Sequence, residues 1–326
     1  MQIIEQYYEI QPELTELTTE AYQKQIERRG RICYKSEDRI TDESAPVFVD
    51  KVINQKHNSV MEMAVIHVKF KISPFDVIPQ FNNFLSSPFF KCSYLEDKNI
   101  FVVTASIRAW REFRKLFIGF DINVYEFVHY KFPDFFKDRP PLDDSIFCVF
   151  NDMVNMFEME IVSDEWIKAN VPNYRKHIHV CVKLVTNRVV THEIVRHRPC
   201  SFLQESQRYV RYDRGEMEFI KPVQWDNWKR NQQKRFIDTC LDAEENYRAN
   251  VTGPDKMTPQ EARNNLPNST KTEILVYTDL QQWNHIMYQR SEGGADPQMK
   301  GLMKPLLEDL RQLYPGYFDC LVPKKG

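Results

Sequence analysis

Glycine is scarce in this chain, with nine in 326 residues. Neither a GxGxxG nor a GxxxxGK[ST] run occurs. That argues against the two glycine-loop folds that hold phosphates with backbone N–H groups, the dinucleotide-binding βαβ unit and the P-loop. Any phosphate must instead be held by side chains and helix N-termini. One segment offers such side chains densely: Arg196-His197-Arg198, then Gln204, Ser206 and Arg208. Three guanidinium groups and an imidazole around a small hydroxyl suit an anionic ligand with a planar ring. Arginine gives bidentate forks to phosphate and carbonyl oxygens and stacks on aromatic faces. Four fixed residue types at fixed spacing arise by chance in roughly one chain of this length in several hundred.

Apolar residues make up 42% of the chain, and 22 Phe with 15 Tyr supply bulky core material. The formal charge of −2 gives no basic field for nucleic acid and no acidic tail for a basic partner. The first residues, MQIIEQYYEI, lack a basic region followed by an apolar run, so no secretion signal is expected. No apolar stretch is long enough to span a membrane. Seven scattered cysteines without a CxxC pair indicate neither a disulfide framework nor a zinc ribbon. A cytoplasmic protein is the expectation.

Residues 13–56 read as helical with polar interruptions, and Ala64 to Ile72 as a strand with partial alternation. Residues 73 to 176 look less regular, rich in Phe and Pro, with an exposed loop from Asp134 to Asp144. A second strand, His177 to Thr186, leads into a short helix beginning after Thr191 and ended by Pro199. Phe236, Ile237, Cys240, Leu241 and Tyr247 share one face of an amphipathic helix. Thr258-Pro259-Gln260-Glu261 is a capping box that starts a short helix carrying Arg263. Glu273 to Thr278 reads as a strand, Asp279 as the cap of a helix that includes Trp283, and Asp296-Pro297 as the start of the last helix. That last helix shows Met299, Met303, Leu306, Leu310 and Leu313 on its apolar face. There is one internal echo. Thr104 to Phe113 and Tyr277 to Ile286 each place a short polar residue before a helix with Trp four positions on. Either a repeat or a coincidence of a common strand–cap–helix pattern accounts for it.

Other constellations have plain readings. His192 and His197 are five apart, not four, so they miss the one-face spacing of a zinc-protease helix. His177 and His179 share a strand face without an obvious third ligand, and no metal is expected. Cys200 has no His or Lys placed by sequence to activate it and reads as a buried small residue. Ser206 lacks a visible base and reads as a ligand donor rather than a nucleophile.

Taken together, these motifs resemble the flavin-dependent thymidylate synthases, the ThyX family. Arg196-His-Arg198 with Gln204, Ser206 and Arg208 is similar to that family's signature. Arg31 to Ser36, His57-Asn-Ser-Val-Met-Glu62, Glu261-Ala-Arg263-Asn-Asn-Leu-Pro267 and Gln281 to Arg290 resemble further family segments. The likeness covers about residues 24–72 and 180–320, and 73–176 reads as an insertion in one domain spanning 1–326. It implies an α+β, ThyX-like fold with a central, mostly antiparallel sheet flanked by helices. It also implies reductive methylation of dUMP to dTMP, with methylenetetrahydrofolate as one-carbon donor, FAD as cofactor and NADPH as reductant, in a homotetramer. Carried over by position, His57, Ser59, Arg196, His197, Arg198, Asp279 and His285 would contact FAD. Gln204, Ser206, Arg208, Arg263 and Arg290 would hold dUMP, with Arg290 and Ser206 nearest the chemistry. In three places the chain departs from the family: Met63 stands for a His, Asp279 for an Asn, and Asp296 for a His. Asp caps a helix as well as Asn does but lacks the amide's N–H donors. Two alternatives follow: a diverged enzyme modifying C5 of another pyrimidine nucleotide or leaving a hydroxymethyl group, and a non-catalytic flavin- or nucleotide-binding homologue.

Overall fold

The computed structural model describes residues 1–72, 82–112, 120–139 and 154–318. Its strands are β1 (Gln2–Ile4), β2 (Tyr7–Ile10), β3 (Val65–Lys71), β4 (Phe90–Leu95) and β5 (Ile100–Ser106). They continue with β6 (Glu160–Val162), β7 (His179–Thr186), β8 (Ser201–Gln204), β9 (Glu218–Ile220) and β10 (Thr272–Asp279). One antiparallel sheet has the order β2-β7-β10-β8, a second has the order β4-β5-β3-β6, and β1 pairs in parallel with β9. The expected α+β class with an antiparallel sheet is present, and a second sheet accompanies it.

All eight residues of β10 are buried. Alternate side chains of a strand point to opposite faces, and here each face has its own core. Ile274 and Val276 join Val180, Val182 and Leu184 of β7 against two helices, Leu280–Arg290 and Pro297–Leu313. Leu275 and Tyr277 turn the other way, toward the N-terminal helices and the second sheet. The buried Arg29 guanidinium lies 4.7 Å over the Tyr277 ring and donates to the Met63 carbonyl at 2.6 Å. It ties the Thr19–Gly30 helix both to β10 and to the entry of β3.

The segment read as irregular supplies β4, β5 and β6, which join β3 in the second sheet. β5 escapes recognition because it is apolar on both faces: Phe101, Val103 and Ala105 enter one core and Val102 the other. Continuous burial erases the alternation that marks a half-exposed strand. The loop expected at Asp134 to Asp144 is also corrected. Pro133–Phe136 is a 3-10 turn whose Phe135 and Phe136 are fully buried, while 140–144 lie outside the described residues. Leu241 and Leu313, assigned to apolar faces, are 47% and 55% exposed at the margins of their helices.

The two parts of the internal echo have the same construction. Ser106 ends β5 and accepts from the Ala109 N–H, while Asp279 ends β10 and accepts from the Gln282 N–H. Trp110 and Trp283, each four residues past its cap, are both fully buried. Strand order matches as well, since β5 lies between β3 and β4 as β10 lies between β7 and β8. A buried polar chain joins the second sheet to the start of β7. Asp164 bonds His67 at 2.8 Å, and the Thr104 hydroxyl lies between His67 at 2.6 Å and His177 at 2.8 Å. His177 then meets Ser93 at 2.9 Å. Both imidazoles are therefore engaged by hydrogen bonds.

Trp283 fills the core beneath β10 and donates its indole N–H to the Val180 carbonyl at 3.0 Å. Trp283→Ala should destabilise the fold by about 3–5 kcal/mol, read by denaturant unfolding. A loss below about 1 kcal/mol would mean that this core does not hold the sheet.

Candidate active site

The arginine–histidine run is placed by a helix that starts earlier than expected. Asn187 caps the Arg188–Ile194 helix by accepting from the Val190 N–H at 3.1 Å, a signal hidden because Asn187 follows an unbroken strand. The helix ends at Ile194, five residues before Pro199, so Arg196 to Arg198 lie in the turn beyond it rather than straddling its end. In that turn Arg196 and Arg198 are exposed and His197 is buried.

His197 is the hub of one cluster. Arg290, the last residue of the Leu280–Arg290 helix, donates through Nε to His197 Nε2 at 3.0 Å and through Nη1 to Glu193 at 2.7 Å. The His285 ring lies edge-on to His197, with centroids 5.8 Å apart. Burial, the Arg290 charge and His285 pull the His197 pKa down to about 4. The ring is neutral at pH 7, and because Nε2 accepts, its proton sits on Nδ1. Arg290 is thus clamped between an imidazole lone pair and a carboxylate. Glu193 is not among the residues that the sequence singles out; its role emerges once the two helices are brought together.

A cavity of about 860 Å³ opens between the two sheets. Arg198, Cys200, Phe202, Thr278 and Asp279 line one side, and Lys91, Ser106 and Arg108 the other. Glu62, the carboxylate of the His57–Glu62 segment, is also in its wall and pairs with Arg108. Asp279 is 2% exposed and has Lys91 at 3.6 Å. Burial pushes the Cys200 thiol up to about 11, so it is protonated at neutral pH. His57 and Ser59 precede Glu62 on the same segment; His57 is bonded to the Tyr34 hydroxyl at 2.9 Å and Ser59 is exposed.

The remaining candidates form a third group. Gln204 donates to Thr191 and Thr272, both at 3.2 Å, and Arg208 donates to Gln260 at 2.9 Å. The Ser206 hydroxyl accepts from the Arg208 N–H at 3.3 Å. Arg263 opens a 3-10 turn directly after the Pro259–Ala262 helix; burial lowers the pKa of Arg188, and the charge of Arg263 adds to that lowering. Beneath them runs an alternating chain of charges. Lys35 and Lys271 bracket Glu273 and, against the effect of burial, hold it down to about 2. Glu205 accepts from the Tyr212 hydroxyl at 2.7 Å. Among the described residues no cluster has the makings of a metal site, and no helix is long and apolar enough to cross a membrane.

Fold and site together define an α+β protein with an arginine–histidine cluster beside a cavity between two antiparallel sheets. The family model described as thymidylate synthase complementing protein matches residues 150–316, just over half of the 326-residue chain, and the chain belongs to that family. It is 33% identical over 144 residues to a flavin-dependent thymidylate synthase of Corynebacterium efficiens, covering 40% of this chain and 57% of that protein. A protein of the same description from Corynebacterium diphtheriae is 32% identical over 146 residues, at 41% and 57% coverage. The chain thus spans a little over half the length of these relatives. A solved structure of thymidylate synthase X from Helicobacter pylori with FAD and dUMP aligns with a TM-score of 0.36 and 21% identity, covering 48% of this chain and 83% of that one. The UMP/dUMP methylase PolB from Streptomyces cacaoi, bound with 5-Br dUMP, aligns at 0.37 and 16%, covering 46% and 74%.

His197 has a folded pKa of about 4 against an ordinary 6.5, so the unfolded chain takes up its proton first on acidification. Its contribution to stability is full above pH 6.5 and is lost as pH falls toward 4. His197→Gln should therefore show a shallower loss of stability between pH 6.5 and 4 than the wild type. Parallel profiles would mean that His197 is not held neutral.

Proposed function

We propose that this chain catalyses the reductive methylation of dUMP to dTMP, with methylenetetrahydrofolate as carbon donor, FAD as cofactor and NADPH as reductant. The observation that carries this reading is the clamp of His197 and Glu193 on Arg290, beside the cavity at whose wall Arg198 stands. The side chains of Arg196, Arg198 and Arg263 have no hydrogen-bond or ion-pair partner among the described residues. Guanidinium groups without a counter-anion suit a ligand that brings its own phosphates. FAD would be held by Arg196, Arg198, Asp279 and His285, with His57 and Ser59 on the neighbouring segment. Gln204, Ser206, Arg208 and Arg263 would hold the nucleotide.

A bound flavin supplies the two-electron redox chemistry. The protein's part is to bind, orient and polarise. Arg290, held by one neutral and one anionic acceptor, keeps a fixed orientation and aims its remaining donor capacity at a pyrimidine carbonyl, where negative charge develops when a nucleophile adds at C6 and makes C5 nucleophilic. A neutral His197 leaves that field undiluted by a second cation. The raised thiol pKa values of Cys33, about 12, and Cys200, about 11, both caused mainly by burial, support a route without an attacking protein thiolate.

The test is incubation of the purified protein with dUMP, methylenetetrahydrofolate, NADPH and FAD, followed by mass analysis. The expected product is dTMP; a hydroxymethyl product, methylation of another pyrimidine nucleotide, or no turnover would each refute the reading. Arg290→Ala should lower kcat/KM by about 100-fold or more. Arg208→Ala should weaken dUMP binding by at least about tenfold, as loss of a charged hydrogen bond does.

A further inference from the structure

Lys91 reaches the cavity from β4 of the second sheet, in register with Thr104 of β5. Its side chain is 23% exposed. An ammonium has three N–H donors, yet Lys91 makes no hydrogen bond among the described residues. The nearest counter-charge is the Asp279 carboxylate at 3.6 Å, an ion-pair distance beyond a hydrogen bond. Asp279 is itself committed, since it accepts from the Gln282 N–H at 2.8 Å as the cap of its helix. Cys200 lines the same cavity from the opposite wall. A half-buried cation with spare donors, steadied but not saturated by an acid across a cavity, lacks an acceptor.

We propose that Lys91 is a ligand-binding residue, donating from the second sheet to a ring carbonyl oxygen of the flavin held in this cavity. The proposal rests on the reading that the cavity takes FAD. It pairs Lys91 with Asp279 as one unit: the carboxylate holds the ammonium in place, and the ammonium supplies the donor that a carboxylate lacks. Arg198 is exposed, as a residue holding phosphates would be, while Lys91 is more buried and lies beside Asp279. A cation at a ring carbonyl stabilises the negative charge that the ring gains on reduction. Lys91 therefore makes the bound flavin easier to reduce.

The experiment measures the FAD dissociation constant by fluorescence quenching and the midpoint potential of bound FAD by dye-linked titration. It uses the full chain as wild type, Lys91→Met, Lys91→Gln and the double variant Lys91→Met with Asp279→Asn. Lys91→Met should bind FAD at least about tenfold more weakly and shift the potential to more negative values. Lys91→Gln, which keeps an uncharged donor, should recover part of the affinity and none of the potential. The double variant removes the stranded buried carboxylate, keeps the helix cap and restores an amide donor, so it should fold and regain affinity over Lys91→Met. If Lys91→Met leaves both affinity and potential unchanged, the proposal fails and the flavin reading stands. If affinity follows thermal stability across the set while the potential never moves, Lys91 is only a structural partner of Asp279 and the proposal fails. If the wild type binds no FAD, the flavin reading falls and the proposal falls with it.

Discussion

Burial of β10 on both faces is the constraint on which the rest of this structure depends. A strand with all eight residues buried needs a sheet neighbour on each side and a packed layer above and below. β7 and β8 meet the first need. The Leu280–Arg290 and Pro297–Leu313 helices cover one face, and the second sheet with the N-terminal helices covers the other. Asp279 thereby arrives at the end of a rigid strand, already committed as a helix cap, and Arg290 at the far end of the helix that follows. The same arrangement leaves room between the ends of the two sheets, and that room is the cavity.

Electrostatics within this frame divide the candidate residues by task. His197 is neutral because it is buried next to Arg290, so the guanidinium is the charged donor of that cluster. Cations that face the cavity differ in how far they are compensated. Arg108 is neutralised by Glu62 and Glu112, Lys91 is only loosely paired, and Arg198 has no partner among the described residues. This gradation separates groups that hold the protein together from groups left with capacity for a ligand. An alternating Lys–Glu chain of ion pairs runs under Gln204 and Ser206.

Much of this was legible in the sequence, for definable reasons. Strands β3, β7 and β10 were found because β-branched residues cluster between polar punctuation. Asp279, Thr258 and Asp296 were found because capping is a local interaction spanning three or four residues. β5 was missed because it is buried on both sides, so alternation does not mark it even though its partner β4 lies just before it in the chain. Its corner was nonetheless visible as an echo of the Asp279 corner, with Ser106 and Trp110 matching Asp279 and Trp283. Glu193 and Lys91 could not be assigned from spacing, because their partners Arg290 and Asp279 are set by tertiary contact. Arg196 and Arg198 lie beyond the end of the helix, and of the two only Arg198 enters the cavity wall.

The central claim is that one ligand cavity is built jointly by the two sheets and receives the flavin. A crystal structure of the protein saturated with FAD tests it most directly. The account predicts ring density between the Asp279 and Ser106 corners, with Lys91 within hydrogen-bonding distance of a ring carbonyl. Well-ordered FAD elsewhere on the molecule, with this cavity holding only solvent, would contradict it.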